Sequence, residues 1–164
     1  MIRQAIGLLA ALAPAAPTLA QDLPTGCFAR DYTAQHLQQN PGQNVAAIRL
    51  NFLPGTGASG DVPTMEVLVR LADQGRARAE GRGGAMLAQT AYCFAEAGQW
   101  TCGVECDGGV MRIGRLSGDT LEVTTDYFLV GDTDECGGAF DLAEDAGSTT
   151  YRLKKAAASA CLGG

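Results

Sequence analysis

One histidine, His36, is the whole imidazole supply of this 164-residue chain. Zinc sites pair short knuckles of Cys and His; here one close cysteine pair, Cys102 and Cys106, has no second pair to meet. A triad needs its His beside a nucleophile and an acid. His36 sits among Gln35, Gln38 and Gln39, and Ser59, Ser117, Ser148 and Ser159 lie in loops without a nucleophile-elbow pattern. The close cysteines are spaced four apart in a strand-like stretch, which does not fit the Cys-x-x-Cys helix start of a thioredoxin-like redox site. Basic residues are also short, with 12 Lys and Arg against 18 Asp and Glu and a formal net charge of −6. Such a chain is a poor partner for nucleic acid or an anionic membrane surface. Beyond the N-terminus no apolar run reaches bilayer-spanning length.

The first twenty residues have the layout of a secretory signal peptide. Arg3 opens it, an apolar run follows from Ala5 to about Ala16, and Thr18 and Ala20 supply small residues at a cleavage site. This predicts a signal peptide over residues 1–20 and a single disulfide-stabilised β-domain over 21–164, located in the periplasm or secreted. Without Arg3 the domain carries 11 basic and 18 acidic side chains, a formal charge of −7. Lipid attachment at Cys27 does not fit, because Gln21 and Asp22 separate the apolar run from the cysteine and Pro24 stands where a large aliphatic residue belongs.

The organisation reads as mainly β. Asp31–Asn40 suits one short N-terminal helix, capped by Asp31 or Thr33 and stopped at Pro41-Gly42. Val45–Leu53 and Met65–Leu71 alternate with period two, putting Ile48, Leu50, Phe52, Val67 and Val69 on buried faces. Met86–Ala95, Trp100–Cys106, Gly109–Gly114, Thr120–Val130 and Thr149–Lys154 are further strands, and Lys155–Cys161 a final helical turn. Short strands between Gly and Asp turns describe an antiparallel meander that forms a small barrel or sandwich, with disulfide staples.

Six cysteines behind an export signal imply three disulfides, with fifteen ways to connect them. Asp107-Gly108 is a type I′ hairpin signal. It sets Cys106 opposite Gly109, Val104 opposite Met111 and Cys102 opposite Ile113, with Cys102, Val104, Cys106, Met111 and Ile113 on one face. Two strand cysteines four apart stand about 13 Å apart, beyond the roughly 7 Å reach of a disulfide, so each needs another partner. A loop over Glu96–Gln99 places Cys93 opposite Cys102, the first expected bridge. Cys27 and Cys161 bracket the domain as an end-to-end staple, which leaves Cys106 with Cys136.

Few residues offer binding chemistry. Asp119, Glu122, Asp126, Asp132, Asp134, Glu135, Asp141, Glu144 and Asp145 lie in a stretch without Lys or Arg, and are expected to form an acidic face. Asp132–Gly137 begins like an EF-hand loop, but Cys136 stands at position 5 and Ala143 at position 12, where a bidentate Glu is needed. Weak calcium binding in an irregular loop stays open; no metal or cofactor site is expected. Arg76, Arg78 and Arg82 form the one basic concentration, a flexible tip that could grip an anion.

Residues 27–37, the Asn-Pro-Gly-Gln that follows at 40–43, Cys102–Gly109 and Thr149–Leu153 together resemble a family of small exported proteobacterial proteins of unknown function. The resemblance implies an envelope or secreted location and assigns no catalytic residue. The resulting expectation is a non-enzymatic exported β-domain that binds a protein or small molecule. Its acidic face would steer cationic partners in the manner of an inhibitor. The alternatives are a hydrolase using His36 or paired carboxylates, and an envelope structural module.

Overall fold

A computed structural model describes residues 22–55, 61–131, 138–144 and 147–162. Its strands are β1 (Gly26–Asp31), β2 (Val45–Leu53), β3 (Thr64–Leu71), β4 (Met86–Glu96), β5 (Gln99–Gly103), β6 (Gly109–Ser117), β7 (Thr120–Val130), β8 (Phe140–Asp141) and β9 (Thr149–Lys155). Two short helices, α1 (Ala34–Gln39) and α2 (Gly75–Ala79), and a 3-10 turn at Ala158–Ala160 complete it. β1 to β7 pair in sequence, β7 pairs with β9, and β9 returns to β1, so eight antiparallel strands close into a barrel. β8 adds a two-residue strip to the end of β7, outside the ring. The predicted signal segment lies outside the described residues. Among those described, no helix is long and apolar enough to cross a membrane.

Alternation carries the closure. Ile48, Leu50 and Phe52 of β2 and Met65, Val67, Val69 and Leu71 of β3 are all buried, with Arg49, Glu66 and Arg70 between them turned outward. An eight-stranded barrel is just wide enough for side chains to fill it. They do so here, in one cluster that runs from Phe28 through Met111, Leu121 and Phe128 to Leu153. Fully burying a large apolar side chain stabilises by about 1.5–3 kcal/mol, and twelve large residues are below 2 % exposed. The inner positions are therefore committed to packing.

The β4–β5 hairpin has the expected register. Ala97 (φ 50°) and Gly98 (φ 82°) make the turn, Ala95 faces Trp100, and Cys93 faces and bonds Cys102 with Cα atoms 4.0 Å apart. Cys27 bonds Cys161. Cys106 is disulfide-bonded as well; its expected partner Cys136 lies outside the described residues.

The β5–β6 hairpin differs from expectation. β5 stops at Gly103, Cys102 faces Met111 rather than Ile113, and the positive φ angles belong to Cys106 (57°) and Asp107 (61°). Cys106 is exposed on the turn, not on the inner face. The glycines explain the shift. A Cβ at Gly109 would stand 2.1 Å from the Tyr127 carbonyl oxygen, and one at Gly108 2.5 Å from Val104 Cγ1. Both are used for close approach to neighbours, with Gly108 O accepting from Leu129 N at 2.8 Å, so the turn falls earlier. A two-residue slip preserves face parity, and Cys102, Met111 and Ile113 all stay inside.

The two bridges close loops of very different length, spanning 134 and 9 positions. Chain-entropy arithmetic gives about 5 kcal/mol for the first and about 3 kcal/mol for the second. Replacing both cysteines of a pair by Ala should therefore cost more stability for Cys27/Cys161 than for Cys93/Cys102 in urea unfolding. A larger loss for Cys93/Cys102 would mean that core packing, not loop closure, dominates.

Candidate functional site

The seam between first and last strands is laced at one end only. Phe28 pairs with Lys155 and Ala29 with Lys154, and there the pairing stops. The Cys27–Cys161 bridge, the Ala156 N–H bond to Cys27 O and the Lys155 ammonium on Thr25 O fasten the same end. Beyond Ala29, β1 continues along β2 and β9 along β7, with little between them. The gap is a crevice of about 370 Å³, lined by Arg30, Tyr32, His36, Asn40, Gln43, Glu144, Thr149, Thr150, Tyr151 and Arg152. That is near the small end of ligand pockets, which run about 300–1,000 Å³.

Local structure fixes each wall. Asp31 ends β1 instead of starting the helix, and Thr33 caps α1 by accepting from His36 N at 3.1 Å. His36 stacks on Tyr32 with centroids 4.9 Å apart, and the Arg30 guanidinium lies 5.2 Å from the Tyr32 centroid. Gln43 Nε2 donates to Val45 O at 2.7 Å, which turns Oε1 toward His36 Nε2 at 2.8 Å. An amide oxygen only accepts, so Nε2 carries the proton in neutral His36 and Nδ1 is the open lone pair.

Gln74 holds this wall from behind. Its Nε2 reaches Leu37 O (3.2 Å), Asn40 O (2.7 Å) and Gln43 O (3.1 Å), tying the α1–β2 loop to the segment before α2. Tyr151 forms the floor, donating to Leu142 O at 2.7 Å. Burial pushes its phenol well above the ordinary value, with nearby Tyr32, Glu144 and Asp141 adding to the rise and Arg76 opposing it. Burial also raises the Tyr32 phenol; Arg30 lowers it and Glu144 raises it further. Both tyrosines are protonated donors at neutral pH.

The sequence-predicted residues are dispersed. Asp141 Oδ1 accepts from Phe128 N and Ala143 N, both at 3.0 Å. Glu122 pairs with Arg152 at 2.6 Å, and Asp126 pairs with Arg112. Hydrogen bonds from Arg112 and then Ser148 lower the Asp126 pKa. Asp119 sits at the β6–β7 turn, where its carbonyl accepts from Lys155 N, and Glu144 lines the crevice. Asp132, Asp134, Glu135 and Asp145 lie outside the described residues. The arginine tip is not a loose loop. Arg76 lies on α2, 4.4 Å from the Phe140 centroid, and donates to Asp141 O and Ala143 O. Arg78 grips Asp73 through two bonds of 3.0 and 3.1 Å, and Arg82 N closes a turn on Ala77 O. Arg76 thus anchors the β8 segment, and Arg78 is spent on Asp73. Among the described residues no group of three metal-binding side chains is found.

Sequence reasoning brought His36 to notice but missed Arg30, Tyr32 and Gln43. Phe28, Arg30 and Tyr32 alternate, and that period-two signal could have extended a strand up to α1. The chain matches no protein family, no curated protein and no solved structure with which it was compared.

Two outcomes follow from these contacts. His36 is the sole histidine, so long-range ¹H–¹⁵N spectra at high pH should show one imidazole in the Nε2–H tautomer; an Nδ1–H pattern would contradict the Gln43 contact. An unfolded phenol titrates near 10, whereas Tyr151 stays protonated when folded. Its contribution is therefore complete below pH 10 and falls by about 1.4 kcal/mol per pH unit above it. Tyr151→Phe should flatten the alkaline limb of stability between pH 9 and 11, at a cost of about 1–2 kcal/mol at neutral pH for the lost bond. An unchanged alkaline slope would contradict the assignment.

Proposed function

We propose that the protein is an exported, non-enzymatic binding module whose barrel is a scaffold and whose seam crevice takes a small polar ligand. The observation that carries this reading is the position of the crevice. Packing fills the interior, while the seam opens beyond Ala29 onto a wall of polar and aromatic side chains. Bound ligands favour such concave sites with a few convergent polar groups.

The hydrolase alternative draws less support. His36 Nε2 is spent on Gln43, a neutral amide that does not stabilise an imidazolium as a carboxylate would. The threonine hydroxyls of the crevice are engaged too: Thr149 Oγ1 accepts from Glu144 N at 2.8 Å, and Thr150 Oγ1 meets Thr124 Oγ1 at 3.1 Å. An acidic docking face for cationic proteins is weakened by the arginine partners of Glu122 and Asp126. Export to the periplasm or beyond belongs to the same proposal. The Cys27–Cys161 and Cys93–Cys102 disulfides support it, because such bonds persist in oxidising compartments.

A fragment screen read by ¹H–¹⁵N correlation spectra tests the reading. Hits should shift amides in residues 30–43 and 149–152 and leave the β4–β5 hairpin still. Hits that cluster elsewhere, or a screen that yields none, would overturn it.

A further inference from the structure

We infer that the seam crevice selects a small monoanionic carboxylate, held by the Arg30 guanidinium and the Tyr32 hydroxyl. This rests on the binding reading above and specifies its ligand.

The argument is an inventory of polar groups. Gln43 uses both ends of its amide, on Val45 O and His36. The Thr149 and Thr150 hydroxyls and the Tyr151 hydroxyl have protein partners. Arg152 Nε is given to Glu122. Two strong donors are left. The Arg30 guanidinium touches the Tyr32 ring, but among the described residues it makes no hydrogen bond or ion pair. The Tyr32 hydroxyl likewise has no hydrogen-bond partner among them. The Arg30 guanidinium and the Tyr32 hydroxyl line the same crevice, and together they complement a ligand group that accepts two hydrogen bonds.

Charge narrows the class. Arg152 is paired with Glu122, so Arg30 is the cation of the lining that a ligand anion would meet. A monoanion gains from the guanidinium fork, which matches carboxylate geometry. A dianion such as phosphate meets more repulsion from Glu144. The flat Tyr32–His36 stack offers a surface for a planar body behind the charged group.

The test compares matched probes by NMR titration, benzoate against benzamide, with inorganic phosphate as a third arm. Benzoate should bind at the crevice on the order of tenfold more tightly than benzamide, the range of a charge-assisted hydrogen bond. Arg30→Gln should erase that preference, Tyr32→Phe should weaken benzoate several-fold, and Glu144→Gln should strengthen it. Equal binding of benzoate and benzamide at the crevice overturns the carboxylate assignment and leaves the binding reading standing. Tighter binding of phosphate than of benzoate overturns it in favour of a dianion. No crevice shifts with any probe or fragment overturns both. Arg30 lies outside the core cluster and Tyr32 packs against its edge; wild-type-like spectra of each variant establish that the fold is intact.

Discussion

Closure of an eight-stranded ring around a filled interior is the constraint on which everything else depends. Every second residue of the ring faces inward, and those positions are taken by Ile48, Leu50, Phe52, Met65, Val67 and their counterparts. A barrel of this size has no room for both a packed core and a chamber. Chemistry must therefore sit where the ring is imperfect. The imperfection lies between the first strand and the last, which no hairpin joins. At one end the Cys27–Cys161 bridge and two strand pairs fasten it. At the other end Arg30, Tyr32 and Tyr151 stand apart.

The open end is also where the irregular elements gather. α1, α2 and β8 all lie there, and their contacts lead toward the crevice. Gln74 holds a carbonyl of α1 and two of the α1–β2 loop, that loop holds Gln43, and Gln43 orients His36. Arg76 holds the β8 segment, which accepts the Tyr151 hydroxyl. These supporting bonds hold Gln43, His36 and Tyr151 in place, which reduces the ordering cost a ligand would meet at those walls.

The sequence made the strands legible where one signal dominated. Period-two burial marked β2 and β3, and the short loop expected over Glu96–Gln99 fixed the β4–β5 register firmly enough to pair Cys93 with Cys102. The β5–β6 turn was not legible, because Asp107-Gly108 looks locally like a hairpin turn while Gly108 and Gly109 answer a tertiary demand, the approach to Val104 and Tyr127. The same limit hid the site. Arg30 and Tyr32 acquire meaning from β9, which is more than a hundred residues away in the chain, and no local pattern announces that the seam opens. Glu122, Asp126 and Arg78 attracted notice as runs of charge, yet their partners come from other strands or from outside the run, and pairing changes what they can do.

Amide hydrogen exchange tests the central claim, that the ring is laced at one end of the β1–β9 seam and open at the other. Successive amides in an antiparallel strand point to opposite neighbours. Of Arg30 and Asp31, one bonds to β2 and the other faces the gap; Tyr151 and Arg152 divide in the same way between β7 and the gap. The account predicts one slow and one fast amide in each pair, with Ala29 and Lys154 slow below them. Equal protection of both amides in each pair would mean that the seam is paired throughout and that the crevice is not an opening of the ring.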